Sequence, residues 1–135
     1  MEDTLITYPT AKLAKEKGFN QFDIRHMFVY SECDPESYFY HNPVQSSHDD
    51  SYNRGYLYRA PTQSFLAKWL REVHLIHISV IISDTDDYIN EPRYKVEVRM
   101  RRGDMVKMFK TTYMFLKYDD ALETGLQEAL KLIKL

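Results

Sequence analysis

The side chains in this sequence that most readily bind metal ions are its five histidines and its single cysteine. Two of the histidines form an H-x-x-H pair, His74 and His77. The other metal-binding candidates are His26, His41, His48 and Cys33. A zinc site needs at least three converging donors, and these residues are irregularly spaced. We therefore expect no metal site and assign His74 and His77 a structural or solvent-exposed role.

The sequence also lacks the motifs that carry out catalysis. The stretch DTDD at 84–87 starts like a calcium-binding loop but lacks the glycine and the closing glutamate. The four glycines lie too far apart to form a phosphate-binding loop. Cys33 stands between Glu32 and Asp34, and their negative charges disfavour a reactive thiolate. We expect a protein that is not an enzyme, has no catalytic residues and binds no cofactor.

Residues 93–110 are rich in arginine and lysine, although the chain as a whole has a formal net charge of −2. If this region forms strands, alternate side chains share one face. The basic residues that fall on that face are Arg93, Lys95, Arg99 and Arg101. The stripe is either a solvated outer face with partners such as Glu97, or a contact surface for nucleic acid or an acidic partner.

Tyrosine is a second candidate for contacts, since the sequence has eleven of them. The tyrosines around the segment 32–53 that we select as candidate contact residues are Tyr38, Tyr40, Tyr52, Tyr56 and Tyr58. Tyrosine gives large, rigid, amphipathic contacts and is enriched at protein interfaces. It is also an ordinary strand residue, so both interpretations stay open.

Composition bounds the class of protein that could carry these residues. A chain of 135 residues with 44% hydrophobic and 28% charged residues is typical of one globular domain. No apolar run approaches the roughly 20 residues that span a bilayer, and the first ten residues lack the apolar core of a signal peptide. A lone cysteine fits a reducing compartment. We expect a cytoplasmic protein without membrane association.

The N-terminal part, 1–59, is predicted to contain a short helix, a strand pair and a long loop. The helix covers 8–19, with Pro9 in its first turn and Gly18 in the left-handed position after its end. The strands cover 23–31 and 54–59, and 32–53 form the loop between them.

The C-terminal part, 60–135, is predicted to be an α-β-β-β-α core. Helical spacing from Pro61 onward gives one apolar face, formed by Phe65, Leu66, Trp69, Leu70 and Val73. Strands follow over 75–82, 93–102 and 105–114, and we expect Trp69 to pack against the apolar faces of the first two. The closing helix buries Leu122, Leu126, Ala129, Leu130 and Ile133. The fold class is therefore α+β, a single domain in which an antiparallel sheet packs against helices.

Three segments of this core, SFLAKWLREV, EPRYKVEVRM and DALETGLQEALKLI, resemble a double-stranded-RNA-binding domain over residues 61–134. The resemblance implies a shared topology and a basic cluster at the start of the last helix. Here Lys117 is followed by Asp119 and Asp120, and carboxylates there would repel phosphates. The resemblance therefore predicts the topology, and we do not expect the RNA-binding activity.

A second resemblance rests on ITYPTAKLAKEKGF, APTQSFLAKWLREVH and YDDALETGLQEALKLI, in this order and spacing. These segments look like a family of small uncharacterised proteins encoded by phages and prophages of gut anaerobic bacteria. The resemblance implies a mobile-element origin and a place in the cytoplasm of a bacterial host. It supplies no catalytic or binding residues.

Together these patterns favour a non-enzymatic phage or prophage interaction protein that binds itself or another protein. The alternative is a weak nucleic-acid-binding accessory protein that uses the basic stripe within 93–110. The sequence does not identify the partner.

Overall fold

The computed structural model describes residues 4–19, 28–31, 34–40, 57–82, 93–103, 105–110 and 114–134. The chain divides into two compact units, Met1–Phe65 and Leu66–Leu135. The described residues form three helices and two three-stranded antiparallel sheets, so the α+β class is confirmed. None of these helices is long and apolar enough to cross a membrane.

The first unit contains one helix and one sheet. The elements are α1 (Tyr8–Glu16), β1 (Phe28–Ser31), β2 (Asp34–Tyr40) and β3 (Leu57–Arg59). The strand order is β2-β1-β3, and β1 pairs antiparallel with both neighbours. The predicted strands at 23–31 and 54–59 are present in their described parts.

The loop predicted over 32–53 is wrong for residues 34–40, because these form β2. Pro35 argues against a central strand, since proline cannot donate a hydrogen bond to the ladder. In this sheet β2 lies at the edge, where one side of the strand needs no such donor. The remainder of the predicted loop lies outside the described residues.

The ends of α1 follow the predicted signals. Pro9 lies in the first turn, where its missing N–H costs no helical hydrogen bond. Gly18 has a φ of +94°, and the N–H of Phe19 donates to the carbonyl of Ala14 at 2.9 Å. Together with the bond from the Gly18 N–H to the Lys15 carbonyl at 3.1 Å, this is the Schellman arrangement of a helix end.

The second helix, α2 (Gln63–His74), starts at a short bridge within the first unit. Leu5 pairs with Thr62, and the N–H of Gln63 donates to the carbonyl of Thr4 at 2.7 Å. The Thr62 hydroxyl accepts a hydrogen bond from the N–H of Phe65 at 3.2 Å, so Thr62 caps the helix. Pro61 therefore precedes the cap and does not lie in the first turn as predicted.

The second unit carries the predicted order of elements after α2. These are β4 (Ile76–Ile82), β5 (Tyr94–Arg102), β6 (Met105–Lys110) and α3 (Tyr118–Lys131). The strand order is β4-β5-β6 with antiparallel pairing throughout. The third strand, predicted over 105–114, is described over Met105–Lys110, and residues 111–113 lie outside the described residues. Tyr94 and Phe115 form a further antiparallel bridge.

Helix α3 packs on one face of this sheet, against β4 and β5. At Gly125 the approach is so close that an added Cβ would lie 2.6 Å from Cγ2 of Val96 and 2.9 Å from Cγ2 of Ile78. We call this side of the sheet the covered face and the opposite side the open face. Ile78 and Val96 contact α3 in this way, and the packing of Trp69 of α2 on the same strands stays a prediction.

The predicted apolar positions are mostly buried, with exceptions at the ends of elements. Trp69 is 6% exposed, and the buried residues of the closing helix include Leu126 and Leu130. Val73, near the end of α2, is 53% exposed, so its assignment to the apolar face was wrong. Ile82 ends β4 and is also exposed. In both elements the apolar periodicity extends to the last residues, where no described neighbouring element covers the side chain.

We predict that Gly125→Ala destabilises the protein, although alanine favours a helix over glycine by about 1 kcal/mol. The added methyl overlaps two side chains, and overpacking costs about 1–3 kcal/mol, so the free energy of unfolding should fall. Chemical denaturation measures it. Val96→Ala provides the control background, because it removes the nearest atom and should reduce the cost of Gly125→Ala. A more stable Gly125→Ala protein would contradict the described packing.

We predict that Trp69→Ala lowers the free energy of unfolding by about 3–5 kcal/mol, as large-to-small core substitutions do. The control is Val73→Ala on the same helix, which should change it by less than about 0.5 kcal/mol because Val73 is exposed. Thermal unfolding followed by circular dichroism compares the two. Equal effects of the two substitutions would show that Trp69 is not part of the core.

Candidate contact surface

The pairing of the second sheet determines where the predicted basic stripe lies. Arg99 pairs with His77 of β4 and Met108 of β6, while Arg101 pairs with Val106. These positions alternate along β5 with buried residues on the covered face, so Arg99 and Arg101 project from the open face. Both are exposed.

The other two residues of the stripe contribute less open surface. Lys95 lies on the open face opposite Ile81 and is half-buried, and Arg93 precedes β5 and is also half-buried. Glu97 interrupts the stripe and its Oε2 lies 3.5 Å from an Arg99 guanidinium nitrogen. The Arg99 side chain keeps 61% of its surface exposed. The Glu97 side chain is only 15% exposed and stays beside Arg99, while the exposed Arg99 guanidinium has further N–H groups that can pair with a second carboxylate.

Large apolar side chains lie exposed beside the two arginines. On β6, Val106 is 60% exposed and Met108 is 50% exposed. Leu75, which connects α2 to β4, is 54% exposed, and its carbonyl accepts a hydrogen bond from the N–H of Arg101 at 3.3 Å. We call Leu75, Arg99, Arg101, Val106 and Met108 the basic–apolar patch. Adjacent strands lie about 4.8 Å apart, so the patch is about 10 Å wide across the sheet.

Leu75 has an unusual backbone for its residue type, with a φ of +58°. The left-handed region costs a non-glycine residue about 1–2 kcal/mol, because Cβ approaches the following carbonyl oxygen. Leu75 is also largely exposed, so burial of its side chain does not offset much of this cost. Strain of this kind is commonly retained at functional sites, which makes Leu75 a candidate contact residue.

The chemistry of the patch suits non-covalent contacts. Methionine and arginine are both enriched at protein interfaces, and methionine adapts its shape to a partner. Among the described residues no group of three or more metal-binding side chains converges. His77 is exposed on the open face, while the His74 ring contacts Trp69 with centroids 4.7 Å apart. The two histidines of the H-x-x-H pair thus have different surroundings.

The candidate tyrosines are not brought together on a described surface. Tyr58 is 6% exposed, and its ring meets Tyr8 edge-to-face at 5.3 Å, so Tyr58 belongs to the core of the first unit. Tyr38 and Tyr40 lie in the edge strand β2, where their backbone pairs with β1. Tyr52 and Tyr56 lie outside the described residues.

Sequence reasoning identified the arginines of the patch but missed its apolar half. The signal was available, because the predicted reversal of the chain at Gly103-Asp104 places Arg102 opposite Met105, and these two residues do pair. Counting outward from that turn places Val106 beside Arg101 and Met108 beside Arg99. The exposure of Leu75 had no such signal, since a leucine between a helix and a buried strand is usually part of the core.

We predict that Leu75→Gly raises the free energy of unfolding by up to about 1 kcal/mol. Glycine removes the left-handed strain, which exceeds the extra chain entropy that glycine loses on folding. Leu75→Ala is the control, because it removes the same exposed side chain but keeps Cβ and therefore the strain. Chemical denaturation of both variants is the measurement. A Leu75→Gly protein less stable than Leu75→Ala would contradict the strain at this position, because the two variants differ only in Cβ.

Comparison with known proteins adds no family to this geometry. No protein-family model matches the sequence, and no curated protein or solved structure matches it significantly. The function is therefore inferred from the residues of the patch.

Proposed function

We propose that this protein is a non-enzymatic interaction module that binds a protein partner through the basic–apolar patch. The observation that carries the proposal is the exposure of Val106 and Met108 directly beside Arg99 and Arg101. Apolar side chains with neighbouring arginines form the energetic centre of many protein interfaces. Isolated exposed apolar residues need no explanation, but here three of them border the same two arginines.

The size of the patch agrees with a specific but modest interaction. Covering each half-exposed aliphatic side chain contributes about 1 kcal/mol at about 25 cal/mol per Å². A carboxylate that pairs with Arg99 or Arg101 while water is excluded adds to this and sets the orientation of the partner. Because a sheet face is rigid, little ordering entropy is lost when a partner binds to it.

Nucleic acid is the second candidate, and the shared face of Lys95, Arg99 and Arg101 is the observation that favours it. Phosphate binding depends on the number of cations that meet the backbone. Glu97 lies within this stripe, which reduces its net charge. The start of α3 is also unsuited to phosphates, because the exposed Asp119 and Asp120 form its first turn. The patch therefore fits a protein partner better.

We predict that a peptide-display selection against the immobilised protein yields peptides that depend on the patch. The variant Val106→Thr/Met108→Thr places threonine, a β-branched residue that suits a strand, at both positions and removes apolar surface. It should no longer bind the selected peptides. A matched variant outside the patch, Val73→Thr, removes a similarly exposed apolar group and should retain them. Peptides that bind wild type and the patch variant equally would contradict the proposed function.

The same protein samples distinguish the nucleic-acid candidate. Fluorescence anisotropy with 20-base-pair RNA and DNA duplexes should show affinities of roughly micromolar or weaker at physiological salt, as for non-specific contacts. Submicromolar binding that disappears in Arg99→Glu/Arg101→Glu would establish nucleic acid as the ligand of the patch.

A further inference from the structure

We propose that the partner segment is an extended acidic peptide that adds to the edge of β6 as a fourth strand. This inference rests on the proposed function, because the added strand would lie against the apolar part of the patch. It goes further by assigning the partner's conformation and its charge.

The edge of β6 is available for strand addition. The sheet order is β4-β5-β6, and among the described residues β6 pairs with β5 alone. An edge strand presents a row of unpaired N–H and C=O groups that can pair with another chain. Proteins often protect such edges with very short strands, bulges, proline or charged side chains, and the exposed Lys107 of β6 is a charge of this kind, which repels a basic or identical strand. β6 has six residues, regular pairing from Met105 to Lys110 and no proline.

The apolar side chains along this edge favour a ligand strand with aliphatic residues at every second position. Val106 and Met108 are two residues apart, so both project from the open face, and both are at least half exposed. A strand beside β6 places every second side chain next to them. Cross-strand apolar pairs stabilise such an arrangement, and main-chain hydrogen bonds supply the rest of the affinity.

The positive charges along the edge favour carboxylates at the remaining positions of the ligand strand. Lys107 is exposed and, in register, projects from the side of the sheet opposite to Val106 and Met108. On the open face, Arg99 and Arg101 lie one strand further in. A strand added at β6 therefore meets positive charge on both of its faces. Carboxylates at the positions that alternate with the aliphatic residues are complementary to Lys107.

The same charges disfavour a second copy of this chain as the occupant. Pairing of two β6 edges would bring the Lys107 residues of both copies into neighbouring strands, with the arginines of both behind them. Like charges on neighbouring strands are destabilising. An acidic strand from another protein avoids this repulsion and is therefore the occupant that we propose.

The test uses a fluorescent, end-blocked peptide of eight residues in which valine alternates with glutamate, titrated into the full chain. In a paired strand, alternate N–H groups point toward the neighbour, so methylation of one alternate set removes the ladder bonds. We compare two peptides, one N-methylated at every valine and the other at every glutamate. Strand addition predicts that one of them binds about tenfold or more weakly than the parent peptide. The other should retain most of the affinity.

A charge exchange tests the acidic preference. Lys107→Glu should weaken binding of the valine–glutamate peptide about tenfold, and a valine–lysine peptide should recover affinity for this variant. Lys12→Glu makes the same charge change at an exposed position of α1 and should leave the affinity unchanged. Hydrogen exchange gives an independent readout, because alternate amides of β6 should become protected when the peptide binds.

Several results would overturn the inference while the proposed function stands. If the two N-methylated peptides bind as well as the parent, the peptide lies on the face and does not extend the sheet. If patch-dependent peptides from the display selection bind but the valine–glutamate peptide does not, the partner is not an acidic strand. If wild type sediments as a dimer that Val106→Thr/Met108→Thr dissociates, the occupant is a second copy. If the proposed function itself is wrong, the display selection yields no patch-dependent peptide, and this result distinguishes it from the three results above.

Discussion

The second unit depends on the close approach of α3 to the sheet at Gly125. A hydrogen atom in place of a side chain lets the helix backbone reach Val96 and Ile78, and these lie in the two strands that α3 covers. A helix is about 10 Å wide and therefore covers about two strands spaced 4.8 Å apart. With α3 centred on β4 and β5, the third strand β6 is left at the margin. The exposure of Lys107, on the α3 side of β6, belongs to this geometry, whereas Val106 and Met108 project from the open face, which α3 does not cover.

The first unit uses a different kind of core, in which polar atoms are buried together with aromatic rings. Tyr8 meets Tyr30 and Tyr58 edge-to-face, and the Tyr30 hydroxyl donates to the buried carbonyl of Ile6 at 2.8 Å. A buried hydroxyl must find such a partner, because leaving it unsatisfied costs about 1–3 kcal/mol. The nitrogen of Lys15 lies 5.0 Å from the centre of the Tyr58 ring, a favourable cation–π arrangement. Core packing accounts for Tyr8, Tyr30 and Tyr58 among the eleven tyrosines, and of the candidate contact tyrosines it therefore explains Tyr58.

Periodicity predicted most of the fold because each strand and helix of the second unit is amphipathic. The strand β5 shows this most clearly, with Val96, Val98 and Met100 buried and Arg99 and Arg101 exposed. Periodicity did not reveal β2, although its partner β1 ends only at Ser31, because Pro35 argues against a strand and is tolerated here at the sheet edge. The register of β5 and β6 places Val106 and Met108 beside the two arginines, but periodicity alone does not tell which face of a sheet another element covers. The arginines were found from sequence since charge itself indicates solvent exposure, whereas an exposed methionine looks like a core residue until its neighbours are known.

The strain at Leu75 supports the proposal that the open face serves binding. A glycine at this position would relieve the left-handed backbone, and the exposed side chain gains little from burial. Stability alone would therefore favour glycine at this position, and solubility would favour polar residues in place of Val106 and Met108 on an edge strand. Around the two arginines, Leu75 thus lowers the stability of the free protein, and Val106 and Met108 lower its solubility. Proteins retain such unfavourable residues where contacts with a partner supply compensating free energy. At this sheet edge that compensation requires a partner that buries the apolar side chains.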